Sequence, residues 1–129
     1  MTARPKVIVT RRLPAQVEAA LRERFSVELS VDDRPTDADT LQRALGAADG
    51  LLATVTDKLT AEVLAAYPIR ARIIANFGVG YDNIDLGAAQ AHEITVTNTP
   101  DVLTDCTADL AMTLILMTLR RAGEGEREL

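Results

Sequence analysis

The chain has 129 residues, 47% of them hydrophobic, with 14 Lys and Arg against 19 Asp and Glu and a formal charge of -5. That length fills one core of ordinary domain size and not two, and the negative balance argues against a nucleic-acid backbone or an anionic membrane as partner, since both need a positive field. One cysteine, Cys106, and one histidine, His92, exclude an intrachain disulfide and a structural zinc cluster and point to a reducing, cytoplasmic compartment. Residues 1 to 20 carry no unbroken apolar segment, so no secretory signal is read there. The most apolar later stretch, Leu110 to Leu119, is about half the ~20 residues that a membrane span requires. A small molecule or another protein is the expected partner.

Taken in chain order, short β-branched runs alternate with helical-period segments, the pattern of βαβ units and a parallel sheet covered on both faces. A strand is predicted at Lys6 to Thr10, followed by Arg11-Arg12 and a helix that Pro14 opens, with Leu13, Val17, Ala20, Leu21 and Phe25 at helical spacing. A second strand, Ser26 to Leu29, precedes a helix capped by Thr36 or Asp37, carrying Leu41 and Leu45 and stopping at Gly46. Gly50 to Thr54 is the third strand, and Thr60 caps a helix from Ala61 to Tyr67, closed by Pro68. The fourth strand is Arg72 to Asn76, the fourth helix runs from an Asp85 cap through Leu86 to about His92, and Thr95 to Thr97 is the last strand. The apolar cores Val7-Ile8-Val9 and Ile73-Ile74-Ala75 predict strands buried on both faces. The order is flavodoxin-like, with ligands expected beyond the carboxyl ends of the strands, where the loops Thr54 to Lys58, Phe77 to Asn83 and Asn98 to Thr104 gather.

From Thr104 to Arg121 the segment TDCTADLAMTLILMTLRR predicts a long helix that is apolar on nearly every side after Asp109 and must be covered by other protein. The closing AGEGEREL carries no terminating signal, so the chain reads as interrupted. The expected division is a domain of residues 1–100 and an inter-domain segment of residues 101–129.

Gly78-Val79-Gly80 lies between a strand and a helix, as a dinucleotide loop would, but Asn83 stands where the third glycine belongs and Asp101 is the only acid near the usual later spacing. Two other readings fit the pair: a turn needing positive φ, or a nest in which the amides of Val79 and Gly80 approach an anion such as a carboxylate. His92 falls near the amino ends of the strands, away from the loops, and is read as a surface residue. Cys106 and Thr107 follow a helix start, where exposed amides favour a negative group; no base accompanies the thiol, so Thr107 is the better ligand contact. Arg11-Arg12 could hold an acid group but read as solvated, and Asp57-Lys58 as a helix cap or surface pair. No Ser-His-Asp set, metal motif or carboxylate pair emerges. A phosphoryl receiver needs acids after its first strand, where Arg11-Arg12 stand, and a flavodoxin needs a hydroxyl-rich loop there.

NFGVGYDNIDLGAA followed by ITVTNTPDVLTDCTADLAMTLILMTLRR, with KVIVTRRLP and GLLATVTDKLT before them, resembles the amino-terminal part of the D-isomer-specific 2-hydroxyacid dehydrogenases, nearest to the glyoxylate and hydroxypyruvate reductases. The similarity runs from about Lys6 to Leu129. It implies a flavodoxin-like substrate domain and a long helix crossing into a separate Rossmann domain. It further implies that Val79 and Gly80 hold the carboxylate of a small 2-oxo or 2-hydroxy acid through their amides, that the Val55 loop lies against the same substrate, that Asn76 shapes this floor, and that Thr107 reaches the nicotinamide of NADH or NADPH. The family's dinucleotide loop, substrate arginine, histidine acid and its glutamate partner have no counterpart here. By that resemblance this chain has no catalytic residue, binds no cofactor by itself and does not turn over alone. One departure is visible in AHEI, where relatives usually carry glycine ahead of the last strand. The alternative is a self-standing, non-catalytic binding or dimerisation domain, and either way the 104–121 helix predicts self-association.

Overall fold

The computed structural model describes residues 4–65, 68–125 and 127. The chain divides into two compact units, Met1–Thr99 and Pro100–Leu129. In the first, the order is β1 (Lys6–Val9), α1 (Ala15–Arg24), β2 (Ser26–Leu29), α2 (Ala38–Ala47), β3 (Gly50–Thr54), α3 (Ala61–Ala65), β4 (Ile73–Phe77), α4 (Leu86–Ala91) and β5 (Thr95–Thr97). All pairings are parallel, and the strands lie in the order β2-β1-β3-β4-β5, that of a flavodoxin-like doubly wound sheet.

That order decides which face is buried. Right-handed crossovers place α1, which leads from β1 to β2, on one face, and α2, α3 and α4, which lead the other way, on the opposite face. The register sets Leu51 beside Ile74 and Ala53 beside Asn76, and Leu51, Ala53 and Ile74 form the core with Leu41 and Leu45 of α2, Val63 and Leu64 of α3 and Ala89 of α4. The expectation of strands buried on both faces therefore fails outside the sheet centre: Ile73 is 40% exposed and Phe77 50%, because within this unit only α1 serves their face. Even α1 departs from its apolar stripe, since Val17 is exposed and Glu18 is buried, its Oε1 accepting from Leu13 N at 3.1 Å.

Local chemistry sets the helix ends. Pro14 is the capping residue of α1, outside its first turn. Asp37, not Thr36, caps α2 by accepting from Thr40 N (2.8 Å), while Thr36 Oγ1 donates to Thr10 O. The helix continues through Gly46 to Ala47. Gly46 is explained by close approach instead, because a Cβ there would lie 3.2 Å from Pro68 O. Thr60 Oγ1 accepts from Val63 N (3.4 Å) at the start of α3; the predicted continuation over Ala66 and Tyr67 lies outside the described residues. Asp85 caps α4 by accepting from Ala88 N (2.9 Å), and Glu93 leaves that helix at φ 56.

The second unit contains α5 (Thr104–Leu119) and a short α6 (Ala122–Gly125). α5 ends two residues before the predicted Arg121, which turns into the left-handed region at φ 54. It buries none of its residues, leaving Leu110, Met112, Leu114, Ile115, Leu116, Met117 and Leu119 exposed. Among the described residues no helix is long and apolar enough to cross a membrane.

Candidate functional site

Two loops at the carboxyl ends of β3 and β4 carry three predicted site residues, Val55, Val79 and Gly80, and a fourth, Asn76, lies in β4 itself. After β3 the chain makes a β-turn closed by Asp57 N donating to Thr54 O (3.0 Å). Its central residues, Val55 and Thr56, are exposed, and their amides have no acceptor among the described residues. After β4, Val79 and Gly80 are likewise exposed, with amides that donate to no described group.

Those two amides point the same way for a covalent reason. A trans peptide sets its C=O and N–H in opposite directions. Gly78 O accepts from Thr99 N (3.0 Å) and Val79 O accepts from Asn98 Nδ2 (2.8 Å). Both carbonyls thus face the Asn98–Thr99 segment, and the following N–H groups, those of Val79 and Gly80, face away from it. Successive amides on one side form an anion-accepting nest. A cavity of about 190 Å³ is lined by Val55, Lys58, Gly80, Asp82 and Asn83, so it is bounded by both loops. A second depression, of about 260 Å³, lies along β1 and β2; its polar side chains already bond within the fold, Thr10 to Asp57, Glu28 to Lys6 and Ser30 to Asp32.

Beneath the loops lies a polar layer. Asn76, almost fully buried, donates from Nδ2 to Gly80 O (2.7 Å), which holds the floor of the second loop. Asp57 is 0% exposed and is neither the helix cap nor the surface acid read from the sequence. Its Oδ2 accepts from Thr54 N (2.8 Å), Thr54 Oγ1 (3.3 Å) and Thr10 Oγ1 (2.5 Å), fixing the first turn. Arg11 is likewise not free in solvent: Nε donates to Asp33 Oδ1 (2.9 Å) and Nη1 to Thr56 Oγ1 (3.0 Å). The Arg11 hydrogen bond holds the Asp33 carboxyl below its ordinary range. Asn83 and Asn98 support the loops through partners that carry no local sequence signal, and Asp57 does so through Thr10 as well as neighbouring Thr54.

The glycines do not serve positive φ, because no described glycine adopts it. Gly78 is required by crowding, since an added Cβ would overlap Val55 Cγ1, whereas a Cβ on Gly80 meets nothing within 4 Å. A dinucleotide pyrophosphate has no seat at the helix that follows, because the Asp85 carboxylate already takes the Ala88 amide at its start. His92 caps the carboxyl end of α4, exposed and away from both loops. In the second unit Thr107 is exposed in the first turn of α5, its N donating to Leu103 O (3.0 Å). Cys106 Sγ donates to Leu103 O (3.2 Å), and residues 100–129 contain no histidine or lysine to activate it. Among the described residues no group of His, Cys, Asp and Glu could hold a metal.

Comparison with known proteins bears on this geometry. Residues 7–122 match the family model of the D-isomer specific 2-hydroxyacid dehydrogenase, catalytic domain. The glyoxylate reductase of Thermococcus kodakarensis is 45% identical over 123 residues, which cover 95% of this chain and 37% of that protein. Among solved structures, that of a Polaromonas sp. JS6 66 protein assigned to the NAD-binding D-isomer specific 2-hydroxyacid dehydrogenases superposes with a TM-score of 0.80 at 37% identity, covering 95% of this chain and 39% of the other. The NADPH-dependent glyoxylate/hydroxypyruvate reductase of Sinorhizobium meliloti, solved with NADP and malonate, gives 0.73 at 36% identity, covering 98% and 39%. The chain thus spans little more than a third of the length of the curated relatives it matches. With its match running almost end to end, it belongs to the D-isomer specific 2-hydroxyacid dehydrogenase family.

Proposed function

We propose that this chain is the substrate-binding part of an NAD(P)-dependent oxidoreductase that reduces 2-oxo acids of the glyoxylate and hydroxypyruvate type to D-2-hydroxy acids. The observation that carries the reading is the shared direction of the Val79 and Gly80 amides, which have no described acceptor and are fixed by Thr99 and Asn98. In this reading they grip the substrate carboxylate, the Val55 turn lies against the same acid, and Asn76 holds the floor through Gly80 O. Residues 1–100 are the substrate domain, and residues 101–129 lead toward a nucleotide-binding domain.

NADH or NADPH supplies the hydride in the intact enzyme. The hydroxyl of Thr107, exposed on the first turn of α5, suits a contact on the nicotinamide side. By the family resemblance, the arginine, glutamate and histidine of the chemical step are expected outside the third or so of the relatives' length that this chain spans. Names of similar proteins support the substrate class: glyoxylate reductase in Thermococcus kodakarensis, glycerate dehydrogenase in Hyphomicrobium methylovorum.

Magnitude decides what the isolated chain can do. Two charge-assisted amide bonds contribute about 1.5–3 kcal/mol each before ordering costs, while 1 mM affinity requires about -4.1 kcal/mol. Titration of sodium glyoxylate against the 129-residue chain, followed by amide chemical shifts, is expected to move Val55, Val79 and Gly80 with millimolar saturation at best. Sub-micromolar binding contradicts the half-site reading, and unmoved amides at Val79 and Gly80 contradict the site.

A second reading rests on α5, whose apolar side chains are exposed all round: pairing of that helix with another chain, as a dimerisation domain or by self-association. Sedimentation velocity over a range of concentrations tests it, and a monomer throughout rejects it.

A further inference from the structure

We infer that Asn83 is a positioning residue: its side-chain amide, engaged within the fold, sets the spacing and orientation of the two amide-bearing loops and donates nothing to substrate. The inference deepens the carboxylate reading above and rests on it.

Asn83 is 8% exposed, and its Nδ2 lies 3.2 Å from Thr54 O, 3.1 Å from Asp57 O and 3.3 Å from Asn76 Oδ1. Two acceptors belong to the first loop and the third to the strand that opens the second. A carboxamide nitrogen has two protons, so three acceptors share them. None of the three can donate back: two are main-chain carbonyls, and the Asn76 nitrogen is taken by Gly80 O. The side chain therefore has one orientation that satisfies the cluster. Its main-chain carbonyl also accepts from Leu59 N (2.8 Å), and beside it Asp85 N donates to Leu59 O (2.9 Å).

The mechanical consequence follows from peptide planarity. Thr54 O and Val55 N–H belong to one peptide plane and point in opposite directions. Thr54 O accepts from both Asp57 N (3.0 Å) and Asn83 Nδ2 (3.2 Å), so Asn83 shares with the turn itself in aiming the Val55 amide. By holding Asn76 Oδ1 it keeps the Asn76 carboxamide turned so that its nitrogen meets Gly80 O. The Val79 and Gly80 amides are aimed separately, through Thr99 and Asn98. Loss of the Asn83 donor should thus misdirect Val55 more than Val79, a selectivity that general destabilisation would not produce.

The test uses the 129-residue chain, sodium glyoxylate as ligand and sodium chloride as ionic control, with Asn83→Asp and Asn83→Leu as variants of similar size that lack the donor. In the native chain glyoxylate shifts the amides of Val55, Val79 and Gly80. In either folded variant the Val55 response is lost, the Val79 response remains, and Kd rises about fivefold or more. A folded variant that keeps the Val55 response, or one whose Kd rises less than that, overturns the role of Asn83 and leaves the carboxylate site standing. A native chain in which none of the three amides moves overturns the carboxylate reading and this inference with it. If neither variant folds, proton exchange in the native chain decides. Protection of the Asn83 side-chain amide relative to exposed Gln90 supports the bridge, and equal exchange overturns it.

Discussion

Gly78 and Val55 contest the same space: a Cβ built on Gly78 would overlap Cγ1 of Val55. This contact packs the carboxyl end of β4 against the turn that follows β3, and it accounts for the first glycine of the pair without any appeal to backbone freedom. Gly78→Ala is expected to cost about 1–3 kcal/mol, the usual range for overpacking, and to lower Tm by about 4–8 °C for each kcal/mol in a unit of this size. Val55→Ala alone should cost little, since Val55 is exposed. The double variant Gly78→Ala/Val55→Ala should regain most of the loss, and thermal melts of the four proteins form the cycle that measures the coupling. Simple additivity would mean that the clash is relieved elsewhere.

Gly80 calls for the opposite outcome. A Cβ there meets nothing within 4 Å and φ is not left-handed, so the fold itself does not require glycine. Gly80→Ala should change stability by less than about 0.5 kcal/mol. If an anion approaches the backbone at this point, the added methyl obstructs it, and the glyoxylate-induced shift at Val79 should weaken while urea unfolding stays in place. Equal binding by the variant would place the anion elsewhere.

The contrast between these glycines marks how far the sequence was legible. Strands at Ser26–Leu29, Gly50–Thr54 and Thr95–Thr97 have the predicted bounds, β1 ends one residue early and β4 is displaced by one residue at both ends, because β-branched runs between turn residues report local preference directly. The Asp37 and Asp85 caps were readable for the same reason: the side chain and the amide it takes lie three residues apart. Gly46 looks locally like a helix stop, whereas the contact that favours glycine there, Pro68 O, is a tertiary neighbour. Asp57 looked like a surface acid beside Lys58, yet its burial depends on Thr10, 47 positions away. Asn83 and Asn98 carry no local signature, since what they do is visible only once β3, β4 and β5 lie side by side. The residues proposed to meet substrate, and Asn76 beneath them, follow from motif resemblance, whereas the contacts of Asp57, Asn83 and Asn98 are legible only in the fold.

Acid stability should report a pair at the other end of the sheet. The Asp49 carboxylate accepts from Lys6 N (2.7 Å) and Arg70 Nε (2.9 Å), and these bonds, the Lys6 amide first, hold its pKa below the ordinary 3.8. A depressed folded pKa means that the unfolded state binds more protons in this window, so stability rises with pH there. Asp49 therefore contributes fully above the unfolded value and loses its contribution as pH falls through the lower folded one. The urea midpoint of Asp49→Asn should lie below that of the native chain at neutral pH, with the gap closing only below pH 3.8. A gap that closes well above that pH would mean that the carboxylate is not so held. Glyoxylate binding should not respond, because Asp49 lies at the amino end of β3.

Glu93 offers the clearest route to a more stable chain. It stands at φ 56 between His92, which closes α4, and Ile94, whose N donates to Ala89 O at 2.9 Å. Those bonds force the left-handed backbone on a residue with a Cβ, at a cost of about 1–2 kcal/mol. Glycine removes that cost but adds unfolded-state entropy of about 0.4–1 kcal/mol, and loses an exposed contact with Arg72 at 3.5 Å that is worth little in water. Glu93→Gly should therefore stabilise the chain by up to about 1.5 kcal/mol, the difference of these terms. Glu93→Ala, which keeps the Cβ and removes only the ion pair, should not. Urea unfolding of the two variants separates backbone strain from charge: a gain shared by both would assign the effect to the carboxylate, and a loss in Glu93→Gly would show that the turn is not strained.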